Sequence, residues 1–97
     1  MSYEISEQAA LDIEDIFVYT ILNFGLPQAH LYLKGLRDTF KRLADFPEIG
    51  QDISYVLPMH RRLVHKSHAI YYKIVEQHIF IVRLLNTKQD PAKNLIS

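Results

Sequence analysis

The sequence predicts an α+β domain in the order β-α-α-β-β-β, with a small antiparallel sheet packed against an N-terminal antiparallel helical hairpin. Two stretches before Phe46 carry apolar residues every three to four positions, which is typical of amphipathic helices. Gly25 and Pro27 punctuate the short link between them, so the two helices are expected to lie side by side. After Arg61 the apolar period changes to two, which is typical of strands. The 97 residues are expected to form one domain.

The first strand and the first helix are expected close to the N-terminus. Tyr3–Ile5 is short and extended and predicts an edge strand. Ser6 is a suitable N-cap residue, and the apolar residues in positions 9–24 then follow the helical period. Asp12 and Asp15 are predicted to lie on the solvated face of this helix.

A second apolar stripe runs beside the first on the same helix. Leu11, Val18 and Leu22 form it, and together the two stripes are wider than one core face needs. Packing within the chain is the favoured interpretation of this stripe, and a contact surface for a partner is the alternative.

Three strands are expected after the second helix, which begins near Pro27 and ends near Phe46. Residues 51–58 show no regular pattern and predict a loop. Residues 69–75 alternate in the strand period, and residues 79–85 are apolar on both faces, which indicates an interior strand covered on two sides. The helices are expected to form one cover, and a partner could form the other.

The charge of the chain is divided between its halves, although the formal net charge is zero. Residues 1–53 carry nine acids and four bases, which gives −5, and residues 54–97 carry two acids and seven bases, which gives +5. This asymmetry favours an acidic protein or a nucleic acid as partner of the second half, and mutual attraction of the halves is the alternative.

The absence of cysteine excludes disulfides and fits a cytoplasmic protein. The acidic N-terminus is not expected to be a secretory signal, and no apolar run approaches the roughly 20 residues of a membrane helix.

Motifs of known chemistry are absent from the sequence: there is no phosphate loop, no zinc-ligand spacing and no nucleophile elbow. His65 and His68 lack the further ligands that a metal site needs, so neither a metal nor a cofactor is expected. Basic and aromatic side chains on the predicted sheet favour a binding surface over catalysis. For RNA cleavage without a metal, His68, Arg83 and Tyr71 could serve as base, cation and acid. The basic and aromatic group comprises Arg61, Arg62, His65, Lys66, His68, Tyr71, Tyr72, Lys73, Arg83 and Lys88.

A pattern of widely spaced residues extends over nearly the whole chain. Its members are Asp12-Ile13-x-x-Ile16-x-x-Tyr19-Thr20, Phe24-Gly25, Ala29, Tyr32, Leu36, Phe40, Leu43, Pro47, Gly50, Arg61-Arg62, Ser67-His68-x-Ile70-x-Tyr72, Val82-Arg83-Leu84-Leu85 and Asp90-Pro91. Taken together, this pattern resembles the ParE toxins of the ParE/RelE superfamily. The resemblance implies a RelE/ParE-like fold.

The resemblance also implies a function and its partners. The chain is expected to be the toxin of a type II toxin–antitoxin pair, such as those that stabilise plasmids, and to inhibit DNA gyrase and block replication. A ParD-like antitoxin is expected to neutralise it by folding an acidic, disordered segment around it, and operator DNA is expected to be contacted only through the antitoxin. Candidate antitoxin contacts are Arg61, Arg62, Lys73, Arg83, Leu11, Val18 and Leu22, and candidate residues for gyrase inhibition are His68, Tyr71, Lys88 and Asp90.

A ribosome-dependent mRNA interferase of the RelE type is the alternative function. RelE-type enzymes have an arginine where this chain has Ala69, a cation near the position of Lys88 and a tyrosine near the C-terminus, where this chain has Asn94–Ile96. Two of these three positions are unsuitable for RNA cleavage. The chain also departs from the common ParE pattern at residues 86–89, where a histidine-containing segment is usual. A third hypothesis is therefore an inactive module that only binds an antitoxin.

Overall fold

The computed structural model describes residues 1–95, so Ile96 of the C-terminal comparison lies outside the described residues. The predicted element order is present, with one additional short strand and one additional short helix. The elements are β1 (Ser2–Ile5), α1 (Glu7–Phe24), α2 (Leu26–Asp45), β2 (Gln51–Asp52), β3 (His60–His65), β4 (His68–Val75), β5 (His78–Asn86) and α3 (Pro91–Leu95).

The helical hairpin begins and turns at the residues that the sequence indicates. Ser6 has extended backbone angles, and its Oγ accepts a hydrogen bond of 2.9 Å from the N–H of Ala9, which caps α1. Gly25 separates the helices with a φ of 90°, a conformation that favours glycine. Pro27 then lies in the first turn of α2, where its missing N–H costs no helical hydrogen bond.

The sheet has five strands in the order β1-β5-β4-β3-β2 and is mixed. Strands β3 to β5 pair antiparallel, as predicted, and β2 pairs antiparallel with β3. Strand β1 pairs parallel with β5, which places Tyr3 opposite Ile79, so the expectation of a purely antiparallel sheet is wrong. Parallel neighbours need a crossover connection, which the helices and the intervening strands supply. The position of β5 between β1 and β4 confirms its predicted interior place. Strand β2 was not predicted, because its two residues have no apolar alternation and pair only through the backbone.

Two apolar clusters lie on opposite sides of this sheet. On one side Ile70, Tyr72 and Ile79 pack with residues of α1 and α2 and form the main core. The other side, hereafter the outer face, carries a smaller cluster of Ile53, Ala69, Tyr71 and Leu85, with Leu95 of α3 packed against it. Within residues 1–95, no helix is both long and apolar enough to cross a membrane.

Candidate functional site

A largely buried ion pair joins β5 to α1, just past the residues of β5 that pair with β1. Nε of Arg83 lies 2.8 Å from Oδ2 of Asp12, and Nη2 lies 3.1 Å from Oδ1. The same carboxylate accepts the backbone N–H of Leu84 at 3.0 Å, and Nη1 of Arg83 donates to the carbonyl of Asn94 at 3.0 Å. Asp12 is only 9% exposed, so its predicted place on the solvated face is wrong. Arg83 is therefore paired within the fold, and its contact with the antitoxin stays a prediction.

Arg61 and Arg62 are adjacent in β3 and therefore point to opposite faces of the sheet. Nη1 of Arg61 donates to the carbonyls of Glu48 and Gly50, at 3.2 and 2.8 Å, and so holds the segment before β2. Nε of Arg62 donates to the hydroxyl of Tyr71 at 3.2 Å. Among residues 1–95, Nε is the group of Arg62 that forms a hydrogen bond, and its two terminal amino groups donate to no acceptor. Of the three arginines on the sheet, Arg62 alone presents open donors on the outer face.

Tyr71 is the residue that fixes Arg62, and it is itself buried. It is 1% exposed and packs with Ile53, Ala69 and Leu85. The prediction that Tyr71 contacts gyrase is therefore not supported, because its ring is covered and its hydroxyl already accepts a hydrogen bond from Arg62.

Lys73 lies on the outer face two residues along β4 from Tyr71. Its Nζ lies 5.7 Å from the ring centroid of Phe80, its cross-strand neighbour on β5, in a cation–π contact. Both residues line an open cavity of about 350 Å³, with Glu4, Val75, Glu76 and His78 around it. Phe80 was not predicted as a site residue, because it lies within a run of apolar residues and nothing in the sequence distinguishes it from core residues. The strand register places it beside Lys73.

His68 points to the helix side of the sheet, not to the outer face. Its Nδ1 lies 2.6 Å from the hydroxyl of Tyr32, and the ring of His65 packs edge-on against the same tyrosine. Burial lowers the pKa of both histidines, and the nearby charge of Lys66 lowers the pKa of His65 further. Nε2 of His65 is buried without a partner and lies against Gly35 of α2, where a Cβ would approach it to 3.0 Å. Among residues 1–95, no group of three or more metal-ligating side chains is assembled.

The second apolar stripe of α1 lies in solvent. Leu11 is 53%, Val18 50% and Leu22 79% exposed, so the favoured interpretation of core packing is wrong. The alternative, a contact surface for a partner, stays a prediction. Such a surface requires exposed apolar side chains, and these three are exposed along one helix.

Lys88 and Asp90 follow β5 on the surface, and both are exposed. Oδ1 of Asp90 accepts the N–H of Ala92 at 2.9 Å at the start of α3, and the N–H of Lys88 donates to Oδ1 of Asn86 at 3.0 Å. Their side chains are accessible to a partner, and their role in gyrase inhibition stays a prediction.

The three groups considered for RNA cleavage do not meet at one site. His68 and Arg83 line a polar cleft of about 280 Å³ together with Asp12 and Asp15. Tyr71 instead lines a separate cavity on the outer face. Arg83 is also paired with Asp12, so it is not free to bind a phosphate. Tyr71 does not face His68, so the two cannot act as acid and base on one substrate.

A solved protein structure has the same fold as this chain. A solved structure described as the chromosomal ParDE TA system from P. aeruginosa superposes with a TM-score of 0.79, covering 91% of this chain and 97% of that chain at 19% sequence identity. The two chains therefore share an α+β fold, a helical hairpin on a largely antiparallel sheet.

Sequence relatives and a family model identify the family. Toxin ParE1 of Mycobacterium tuberculosis is 33% identical over 94 residues, which are 96% of each chain. Toxin ParE1 of Caulobacter vibrioides is 29% identical over 93 residues, again 96% of each chain. The family model for the ParE toxin of the type II toxin–antitoxin system parDE matches residues 3–91. The chain belongs to the ParE toxin family of type II toxin–antitoxin systems.

Proposed function

We propose that this ParE-family toxin inhibits DNA gyrase, thereby blocks replication in the cytoplasm, and is neutralised by a ParD-like antitoxin. Membership of the ParE family supports a gyrase target over an RNA target. The separation of His68 and Arg83 from Tyr71 also favours a protein that acts by binding over a ribonuclease.

One observation on the outer face carries the antitoxin part of this proposal. Arg62 and Lys73 lie two register positions apart there, and neither forms an ion pair with any residue from 1 to 95. An acidic segment that orders on binding would neutralise both cations and cover the apolar surface around Phe80 and Val75. The superposed structure from P. aeruginosa is described as a ParDE system, which supports a ParD-like protein as the source of that segment.

The exposed stripe of α1 provides a second type of surface on the same molecule. Leu11, Val18 and Leu22 would pack against the apolar side of an amphipathic antitoxin helix. An antitoxin that contacts both surfaces gains affinity from apolar burial on α1 and specificity from charge on the sheet.

A plasmid supercoiling assay with purified gyrase tests the proposal. Adding the toxin is expected to abolish supercoiling and to leave cleaved DNA trapped on gyrase, and adding a ParD-like antitoxin is expected to restore supercoiling. A folded toxin that leaves supercoiling unchanged would refute the gyrase target. Cleavage of mRNA on ribosomes by the same preparation would then establish the interferase alternative.

A further inference from the structure

We propose that the cavity around Arg62 on the outer face is a binding site for one carboxylate side chain, an aspartate or glutamate of the antitoxin. The inference rests on the proposed neutralisation by an antitoxin and adds to it a defined site. The cavity has a volume of about 240 Å³, and its polar lining includes Arg62, Tyr71, Gln51, Thr87 and Gln89.

The guanidinium of Arg62 is oriented before any ligand arrives. Its Nε is held by the hydroxyl of Tyr71 at 3.2 Å, and Tyr71 cannot move freely because it is buried among the outer-face cluster. Fixing Nε leaves the two terminal amino groups as a planar pair of donors. That geometry matches the two oxygens of a carboxylate, and little side-chain entropy remains to be lost on binding.

Neutral donors are present for the remaining lone pairs of a carboxylate. Oε1 of Gln89 accepts the backbone N–H of Asn86 at 2.8 Å, which leaves the Nε2 amide hydrogens of Gln89 free to donate. Gln51 lies opposite Arg62 in the β2–β3 register and supplies a second side-chain amide at the rim. Ile53 and Val56 add apolar surface against which the methylene groups of an acidic side chain can pack.

The charge of the lining selects a carboxylate over a phosphate backbone. Arg62 is the only charged residue that lines this cavity among residues 1–95. One guanidinium balances the single charge of a carboxylate, whereas a nucleic-acid strand is bound by several cations spaced along its phosphates. The two other arginines of the sheet do not compete for the ligand, because Arg61 points to the helix side and does not line the cavity, and Arg83 is paired with Asp12.

Calorimetric titration of the toxin with its ParD-like antitoxin tests the site. Arg62→Gln is expected to raise Kd roughly 10- to 100-fold, since it removes one partner of a charge-assisted pair. Arg37→Gln is the matched control, because Arg37 is an exposed arginine on the outer side of α2, and its Kd is expected to stay within about twofold of the original. Denaturant unfolding of each variant verifies that it is folded.

A second set of variants identifies the ligand. Each aspartate and glutamate in the C-terminal half of the antitoxin is changed to its amide, and one of these changes is expected to lose its effect in the Arg62→Gln background. Tyr71→Phe, which frees Nε, is expected to weaken binding by a smaller factor, about three- to tenfold, and to have no further effect once Arg62 is replaced.

Three outcomes would overturn the inference. An unchanged Kd for Arg62→Gln, with tight binding by the original toxin, refutes the site and leaves neutralisation intact. No antitoxin binding by the original toxin refutes the site and the proposed neutralisation together. Binding of a single-stranded oligonucleotide that is lost in Arg62→Gln, with no antitoxin carboxylate coupled to Arg62, would show a phosphate site instead.

Discussion

The two faces of the sheet use the same residue types for different purposes. Arg61 and Tyr72 point to the helix side, where Arg61 holds two backbone carbonyls and the hydroxyl of Tyr72 donates to Pro47 and accepts from Gly50. Their sequence neighbours Arg62 and Tyr71 point to the outer face, where they hold each other and leave donors open. Alternation along a strand thus separates residues that stabilise the fold from residues that are available to a partner. The comparison predicts which substitutions affect stability and which affect binding.

The largest expected effect is the loss of stability when the carboxylate of Asp12 is removed. Asp12→Asn breaks the ion pair with Arg83 and weakens the acceptor for the N–H of Leu84, so it leaves a largely buried guanidinium without its counter-charge. We expect the free energy of unfolding to fall by about 3 kcal/mol or more. Urea denaturation measures this change.

Asp15→Asn is the control for Asp12, because it removes the same charge from an exposed position of the same helix. It is expected to change stability by no more than about 0.5 kcal/mol. Equal effects of the two substitutions would show that the ion pair contributes nothing to the fold.

The two tyrosines of β4 give the sharpest test of the difference between the faces. Tyr72→Phe leaves the buried N–H of Gly50 and the carbonyl of Pro47 without their partner, and we expect a loss of about 1–3 kcal/mol. Tyr71→Phe removes only one hydrogen bond to a half-buried guanidinium, and we expect a loss of about 1 kcal/mol or less. Chemical denaturation measures both losses. If Tyr71→Phe lowered the free energy of unfolding more than Tyr72→Phe does, the outer face and not the helix side would carry the stabilising hydrogen bonds.

The histidines on the helix side predict a loss of stability in mild acid. Burial lowers the pKa of His65 and His68 below the ordinary value of 6.5, so the unfolded chain binds protons more readily than the folded chain. Their contribution to stability is therefore complete above pH 6.5 and is lost as the pH falls from 6.5 toward the lowered values. The slope can reach about 1.4 kcal/mol per pH unit for each histidine.

Urea denaturation between pH 7.5 and pH 5 measures this dependence. His65→Gln is expected to flatten it, because it removes one of the two buried imidazoles. A stability that does not change below pH 6.5 in the original chain would contradict the lowered pKa values.

A small effect on stability is also expected at Lys73. Lys73→Gln removes a cation–π contact on the outer face and is expected to change the free energy of unfolding by about 0.5–1 kcal/mol. The same substitution is expected to weaken antitoxin binding and to make Kd depend less on salt concentration. Titrations at two salt concentrations measure both, and an unchanged salt dependence would exclude Lys73 from the interface.

The sequence predicts the fold better than it predicts the state of each charged side chain. Helical and strand periods, the cap at Ser6 and the break at Gly25 are local features, and they place the hairpin and the three long strands correctly. The buried position of Asp12 follows from a partner 71 residues away in the chain, which no local pattern contains. Its spacing from the buried Ala9 and Ile16, three and four residues away, is the signal that could have indicated it. The parallel pairing of β1 and the contact of Lys73 with Phe80 likewise depend on the sheet register.

The signals of the arginine side chains test the central claim most directly. In an NMR titration of the labelled toxin with the antitoxin, each arginine Nε–H gives its own resonance. We expect the Arg62 resonance to shift and saturate, while that of Arg83 stays in place because its Nε–H is hydrogen-bonded to Asp12 within the fold. A shift of Arg83 with release of Asp12, and no change at Arg62, would contradict the division of the sheet into a structural face and a partner-binding face.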